Sequence, residues 1–242
     1  MYYLQKMNTS LRAPEGPTNL PGLKSLPKIY FIPGLATDSR IYTQYQFPGY
    51  EMIYMDFIPH QCSESLAQYA VRLATHYKVE PGHFYIGTSL GGMIAGELHR
   101  HLPAKKTFII SSLKNKNELP SLYKLGRYFP VYNWIPDTTL KEIIQHWTAH
   151  LPFLKKSVHV NFREMVEKTD PAFIKWAIHS VLRWKRADVA DGVIHFHGNI
   201  DHLFPKRKIA KAEFIAHGSH FMLATHCKLL HAKIQAHLSV YA

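Results

Sequence analysis

Short apolar runs closed by turn formers, alternating with longer amphipathic stretches, leave this chain few folds to choose from. Ile29-Tyr30-Phe31-Ile32 ends in Pro33-Gly34, His83-Phe84-Tyr85-Ile86 ends in Gly87, and Thr107-Phe108-Ile109-Ile110 ends in Ser111-Ser112. Each run is too short for a helix and rich in aromatic and β-branched residues, so each reads as a buried strand. Glu51 to Met55 before Asp56, Val193 to Phe196 before His197-Gly198, and Ala212 to Ile215 extend the set to six. Helical patterns lie between them. Leu66, Tyr69, Ala70 and Leu73 repeat at i, i+3, i+4, i+7, with Ser63 or Ser65 placed to cap them. Leu90 to His101 forms the next helix, stopped before Pro103, and Phe221 to Leu238 forms the last. Strands alternating with helices predict an α/β fold: three layers, a mainly parallel sheet, helices on both faces.

One segment breaks the alternation. Between about Leu113 and Arg186 only helical patterns occur, over Thr138–Ala149, Val158–Lys168 and Pro171–Lys185. Asp170 caps the last of these and Pro171 fits its first position. A helical insertion late in such a series reads as a cap over the sheet edge. The expected division is therefore a core domain of residues 28–112 and 187–242 with a helical cap at 113–186. Residues 1–27, punctuated by Pro14, Gly16, Pro17, Pro21 and Gly22, read as a loosely ordered leader with a short strand at Tyr2–Leu4. They lack the basic-then-apolar order of a secretory signal.

With 46% hydrophobic and 19% charged residues in 242, the composition is that of a folded domain rather than a disordered chain. No apolar run reaches the length of a membrane span. Cys62 and Cys227 supply neither a disulfide framework nor metal spacing, which points to a reduced, cytoplasmic setting. The net charge of +12 concentrates in residues 114–186, where 13 lysines and arginines face 6 acids. No zinc finger, RNA-binding signature or aromatic–basic repeat accompanies it, so a nucleic-acid partner is not expected. Basic charge of this kind speaks to solubility and to anionic substrates or surfaces, not to fold.

Chemistry concentrates at three strand ends. Gly87-Thr88-Ser89-Leu90-Gly91-Gly92 lies between a strand and a helix and matches Gly-x-Ser-x-Gly. A serine on so sharp a turn needs neighbours without side chains, and the helix start brings backbone N–H groups to the reacting oxygen. A chance turn is the competing reading of the pentapeptide alone. A dinucleotide fingerprint is ruled out by the serine at position 89, and a phosphate-binding loop by the missing lysine. Serine is a weak nucleophile until a base takes its proton and an acid orients the base. Asp201 follows the fifth strand and His220 follows the sixth, both where ligands bind in open α/β sheets. Asp188 and Asp191 precede their strand, Asp56 lies upstream of the serine, and His217 reads as strand-terminal. His195, His197, His202 and His226 read as packing, loop or solvent positions, and none of them has metal-ligand spacing. An oxyanion needs two N–H donors, for which the backbones of Leu90 and Leu35 are the candidates.

Together these motifs resemble the α/β-hydrolase superfamily from about Lys28 to the C-terminus. The elbow at Gly87–Gly91 matches in full. Gly198 to Asp201 with Pro205 resembles the family's acid loop, and Gly218-Ser219-His220-Phe221-Met222 its histidine loop. Pro33-Gly34-Leu35 stands where the family usually has His-Gly-x, keeping the glycine and the donor amide. The family's early antiparallel strands have no evident counterpart in Met1 to Pro27, so a trimmed sheet is expected. The resemblance implies hydrolysis of a carboxylic ester or related acyl bond in a small-molecule substrate, with no cofactor and no metal. A thioesterase or a carbon–carbon bond hydrolase would use the same three residues, and a non-catalytic small-ligand receptor could reuse the scaffold. All four tryptophans fall in the helical insertion; Trp134, Trp147 and Trp176 are the candidate substrate contacts, implying an apolar or aromatic ligand. The sequence leaves the oligomeric state open.

Overall fold

The computed structural model describes residues 26–149 and 156–241, with the backbone alone at 147–149 and 156–161. The expected leader strand at Tyr2–Leu4 lies outside them. Six strands form one sheet: β1 (Lys28–Ile32), β2 (Glu51–Tyr54), β3 (Phe84–Thr88), β4 (Lys106–Ile110), β5 (Val193–Gly198) and β6 (Glu213–Ile215). Their order is β2-β1-β3-β4-β5-β6 and every pair is parallel. The chain steps outward from β1 to β2, then returns past β1 to β3 and continues the other way. That reversal leaves a crevice beyond the carboxyl ends of β1 and β3, where open α/β sheets bind ligands.

Strand periodicity sorts the core into two layers. Tyr30, Ile32 and Tyr85 face α1 (Leu66–His76) and α2 (Leu90–His101), while Ile29, Phe31, Phe84 and Ile86 face the opposite layer. That second layer holds Tyr42, Tyr45 and Phe47 with Leu230, Ile234 and Leu238 of α8 (Cys227–Leu238). α1 starts at a capping box in which Ser65 Oγ accepts from Gln68 N–H and Gln68 accepts from Ser65 N–H. A break at His226 divides the expected final helix into a short α7 (Met222–Thr225) and α8.

Among the described residues four α-helices lie between β4 and β5: α3 (Ser121–Tyr128), α4 (Asp137–Ala149), α5 (Lys156–Lys168) and α6 (Pro171–Leu182). Sequence periodicity found the last three. It missed α3, which spans only eight residues and so offers barely two turns of pattern; its Leu122 and Leu125 are exposed. α6 begins as expected, with Asp170 accepting from Ala172 N–H and Pro171 at the first position. No helix among the described residues is long and apolar enough to cross a membrane.

α2 packs against β1 through a glycine. A Cβ added at Gly91 would come within 2.2 Å of the Ile32 carbonyl oxygen and 2.3 Å of that of Pro33. Backbone cannot yield as a flexible side chain does. Gly91→Ala is therefore expected to lower the unfolding free energy by about 3 kcal/mol or more. Gly126→Ala, whose Cβ would meet only the Leu182 side chain at 3.2 Å, should cost far less. Urea titration of both variants measures the difference.

Candidate active site

Ser89 sits between β3 and α2 at φ 50° and ψ −119°, a conformation that L residues rarely adopt and that costs on the order of 1–3 kcal/mol. Surrounding contacts hold it there. Its N–H donates to the Ile110 carbonyl at 2.9 Å, and its own carbonyl accepts from Ser112 Oγ at 2.6 Å and Gly92 N–H at 3.0 Å. The turn closes only because side chains are missing. A Cβ at Gly87 would lie 2.3 Å from the Gly91 carbonyl oxygen, and one at Gly92 would lie 2.5 Å from Ser112 Oγ.

Two loops from the far side of the sheet reach this serine. His220 Nε2 lies 3.0 Å from Ser89 Oγ, and His220 Nδ1 lies 2.9 Å from Asp201 Oδ2. A carboxylate only accepts, so Nδ1 carries the ring proton and Nε2 is left to accept from the serine hydroxyl. Asp201 is itself anchored, with Oδ1 accepting from Leu203 N–H and Phe204 N–H, each at 2.9 Å. Burial pushes its carboxyl upward, but the charge and hydrogen bond of His220, with the Phe204 amide, more than offset this and hold it below its ordinary value.

Beyond the aspartate runs a buried polar chain that sequence reasoning passed over as packing. His197 Nε2 lies 2.8 Å from the Phe204 carbonyl and 3.7 Å from Asp201 Oδ2. A carbonyl cannot donate, so His197 Nε2 carries the proton and Nδ1 accepts from His195 Nε2 at 3.2 Å. His195 Nδ1 in turn faces Lys114 Nζ at 3.3 Å, and Lys114 pairs with Glu118 at 3.0 Å. His197 thereby fixes Phe204, whose amide fixes Asp201. The i, i+2 spacing of His195 and His197, on one face of β5, was the signal available in the sequence.

The first strand's loop completes the surroundings. A Cβ at Gly34 would touch Ser89 Cβ at 3.4 Å, so this backbone lies against the serine. The Gly34 carbonyl accepts from Thr37 Oγ1 at 2.8 Å and Thr37 N–H at 3.2 Å. Peptide planarity then turns the Leu35 N–H to the opposite side. Leu35 and Leu90 both line the cavity that contains Ser89 and His220.

That cavity measures about 580 Å³ and is walled largely by aliphatic side chains: Leu35, Met93, Ile144, Met165, Ile178 and Leu182. Helices α3 to α6 all contribute to it. The tryptophans do not behave as expected. Trp134 is 85% exposed and Trp176 is buried, and neither lines the cavity. Trp176 instead packs on Tyr69, Phe173 and His60 and donates its Nε1–H to the Glu64 carbonyl at 2.9 Å, so it clamps α6 onto α1. Its size suits a packing joint, and its indole N–H finds a partner there. The Trp147 side chain lies outside the described residues. His217, expected to end a strand, stands beyond β6 at φ 57°.

No protein-family model matches the chain, and no curated protein sequence matches it either. Solved structures do. MenH from S. aureus superposes with a TM-score of 0.68 over 90% of this chain and 95% of its own, at 16% identity. A thermophilic esterase from Thermogutta terrifontis gives 0.64 over 88% and 89%, at 14% identity. Est816, described as an N-acyl homoserine lactone degrading enzyme, gives 0.63 over 88% and 93%, at 15% identity. This chain has the α/β-hydrolase fold. Among the described residues every strand pair of this sheet is parallel, and the expectation of a trimmed sheet falls on residues outside them.

Burial pushes His195 far below the ordinary histidine value, with Lys114 and then His197 adding to the effect. Burial also lowers His197, against the Phe204 bond and the Asp201 charge. Both rings therefore take up a proton less readily in the folded chain than unfolded histidine does at about 6.5. The unfolded state then binds more protons, so stability falls as pH drops below about 6.5, by up to about 1.4 kcal/mol per pH unit per ring. Urea midpoints between pH 7.5 and 5.5 check the slope. Imidazole nitrogen shifts should show both rings titrating below unfolded histidine in the folded chain, His195 the further of the two.

Proposed function

We propose that this chain is a serine hydrolase that cleaves a carboxylic ester or a related acyl bond. The observation that carries the reading is the continuous relay from Ser89 Oγ through His220 to Asp201, at 3.0 and 2.9 Å, opening on an apolar cavity. Ser89 is the nucleophile, His220 the general base and Asp201 the acid that orients it. Asp201 holds the reactive tautomer and stabilises the imidazolium that forms.

The steps follow from these roles. As Ser89 Oγ bonds to the acyl carbon, its proton passes to His220 Nε2, and the carbonyl electron pair moves to oxygen. The N–H groups of Leu35 and Leu90 receive that oxyanion. Collapse of the tetrahedral species expels the alcohol oxygen, which takes the proton from His220. Water then repeats the sequence against the acyl-serine, giving its proton to His220, and release of the acid restores the Ser89 hydroxyl.

The walls are mostly aliphatic, with Tyr123, Phe162, Phe204 and Phe221 among them, and suit an acyl group of extended hydrocarbon; Trp134 and Trp176, which had suggested an aromatic one, do not line them. A methylene leaving water contributes about 0.8 kcal/mol, which is about fourfold in binding. For p-nitrophenyl esters, kcat/KM should therefore rise by up to about fourfold per added methylene from acetate until the cavity fills. A flat or falling series contradicts an acyl site in this cavity. A matched oxyester and thioester pair, run in parallel, identifies the preferred bond.

Ser89→Ala should lower kcat by at least about a thousand-fold with circular dichroism unchanged. A fluorophosphonate probe should add one covalent adduct, localised to Ser89 by mass spectrometry. Turnover surviving in Ser89→Ala, or a folded protein inert to the probe, removes the proposal. Asp201→Asn should lose on the order of ten-thousand-fold in kcat, since the amide can bind the wrong histidine tautomer.

A further inference from the structure

α3 is a helix without a buried residue. Leu122, Leu125 and Phe129 recur at i, i+3, i+7 and share one face, each of them exposed. Tyr128, Val131 and Trp134 continue the exposed apolar series beyond the helix. Six large apolar residues open to solvent within thirteen positions are unusual for a free surface. The other side of α3 points inward. Tyr123 and Gly126 line the cavity, and a Cβ at Gly126 would lie 3.2 Å from Leu182 of α6. Leu122 belongs to both surfaces, since it lines the cavity while 75% exposed. The apolar face is therefore continuous with the rim of the cavity that holds Ser89.

The segment that carries this face is basic, and the acids that flank it, Glu118 and Asp137, are each paired with a lysine, Lys114 and Lys175. Lys124 and Arg127 lie on α3 itself, and residues 121–134 contain no acid. The basic turn Lys206-Arg207-Lys208 is joined to the start of the helix, where Lys208 Nζ donates to Ser121 Oγ at 3.2 Å. Residues 202–208 contain no acid either. A short apolar helix face flanked by lysine and arginine is what an anionic lipid surface binds: side chains enter the acyl boundary while the cations meet phosphates. A second copy of the chain would bring like charge against like charge. A nucleic acid would leave the apolar face without a partner.

We propose that α3 and the turn after it dock this chain onto anionic lipid membranes. Leu125, Phe129 and Trp134 enter the acyl boundary, and Lys124, Arg127, Lys206 and Arg207 meet the lipid phosphates. The cavity mouth then lies over the surface from which an acyl substrate would be drawn. Only this last consequence rests on the hydrolase reading; the docking does not.

The test uses the full chain carrying Ser89→Ala, so that lipid is not consumed. Co-sedimentation with vesicles of phosphatidylcholine containing about 30% phosphatidylglycerol should show binding at least about tenfold tighter than with pure phosphatidylcholine, weakening as salt rises. Leu125→Ser combined with Trp134→Ala should lose about tenfold or more of that binding. Lys206→Gln with Arg207→Gln should remove most of the preference for the anionic lipid. None of these four residues lines the cavity, so in the chain with Ser89 intact the same changes should leave turnover of a short water-soluble ester unaltered. Failure to bind the anionic vesicles overturns the proposal, as does binding that the apolar double variant leaves unchanged. Sedimentation showing a dimer that Leu125→Ser dissociates also overturns it, because a second copy then covers the face. Vesicle binding without esterase activity would remove the reaction and keep the docking; the reverse result would do the opposite.

Discussion

The site rests on backbone packed against backbone at the carboxyl ends of β1 and β3. Gly87, Gly91 and Gly92 allow approaches that any Cβ would block at 2.2 to 2.5 Å, and Ser89 takes its positive φ in the space they leave. The strain is local and the restraint is spread over three neighbours, Ile110, Ser112 and Gly92. A serine so held presents its hydroxyl to one side only, and the relay of His220 and Asp201 stands on that side. Were the elbow free to relax, the 3.0 Å separation from the imidazole would be lost with it.

Precision on the acid side has a different source. Asp201 lies in a loop, yet its oxygens are held by two amides and one imidazole. The Phe204 residue that supplies one amide is itself held by His197, and His197 by His195, Lys114 and Glu118. Every donor along this chain has an acceptor, which lets a buried polar network be rigid rather than costly. The order of the acid loop thus depends on groups rooted in β5 and in the segment just after β4.

Tryptophans and aliphatic residues divide the helical insertion between them. Trp176 binds α6 to α1, and Trp184 donates to Glu97 of α2 at 2.6 Å, so these two side chains attach the insertion to the helices on one face of the sheet. The cavity wall is mostly leucine, isoleucine and methionine, joined by Tyr123, Phe162, Phe204 and Phe221 but by neither Trp134 nor Trp176. α3 turns apolar residues both inward to the cavity and outward to solvent, and none of its residues is buried.

What the chain determines by itself is local. Runs such as Ile29–Ile32 and Thr107–Ile110 declare their strand state because a buried strand needs an unbroken apolar run closed by a turn. Gly-x-Ser-x-Gly was legible because a strained turn restricts its neighbours whatever the rest of the fold does. Ser89, Asp201 and His220 could be singled out since each follows a strand, and parallel topology sends all such ends to one edge of the sheet. Tertiary structure decided the rest. The role of Trp176 depended on how α6 docks on α1, and sequence spacing carries no record of such long-range packing. His197 became more than a packing residue only when the Phe204 carbonyl was brought within 2.8 Å of its ring. α3 escaped notice because eight residues give barely two turns of pattern, too few for the spacing of Leu122, Leu125 and Phe129 to separate a helix from a loop.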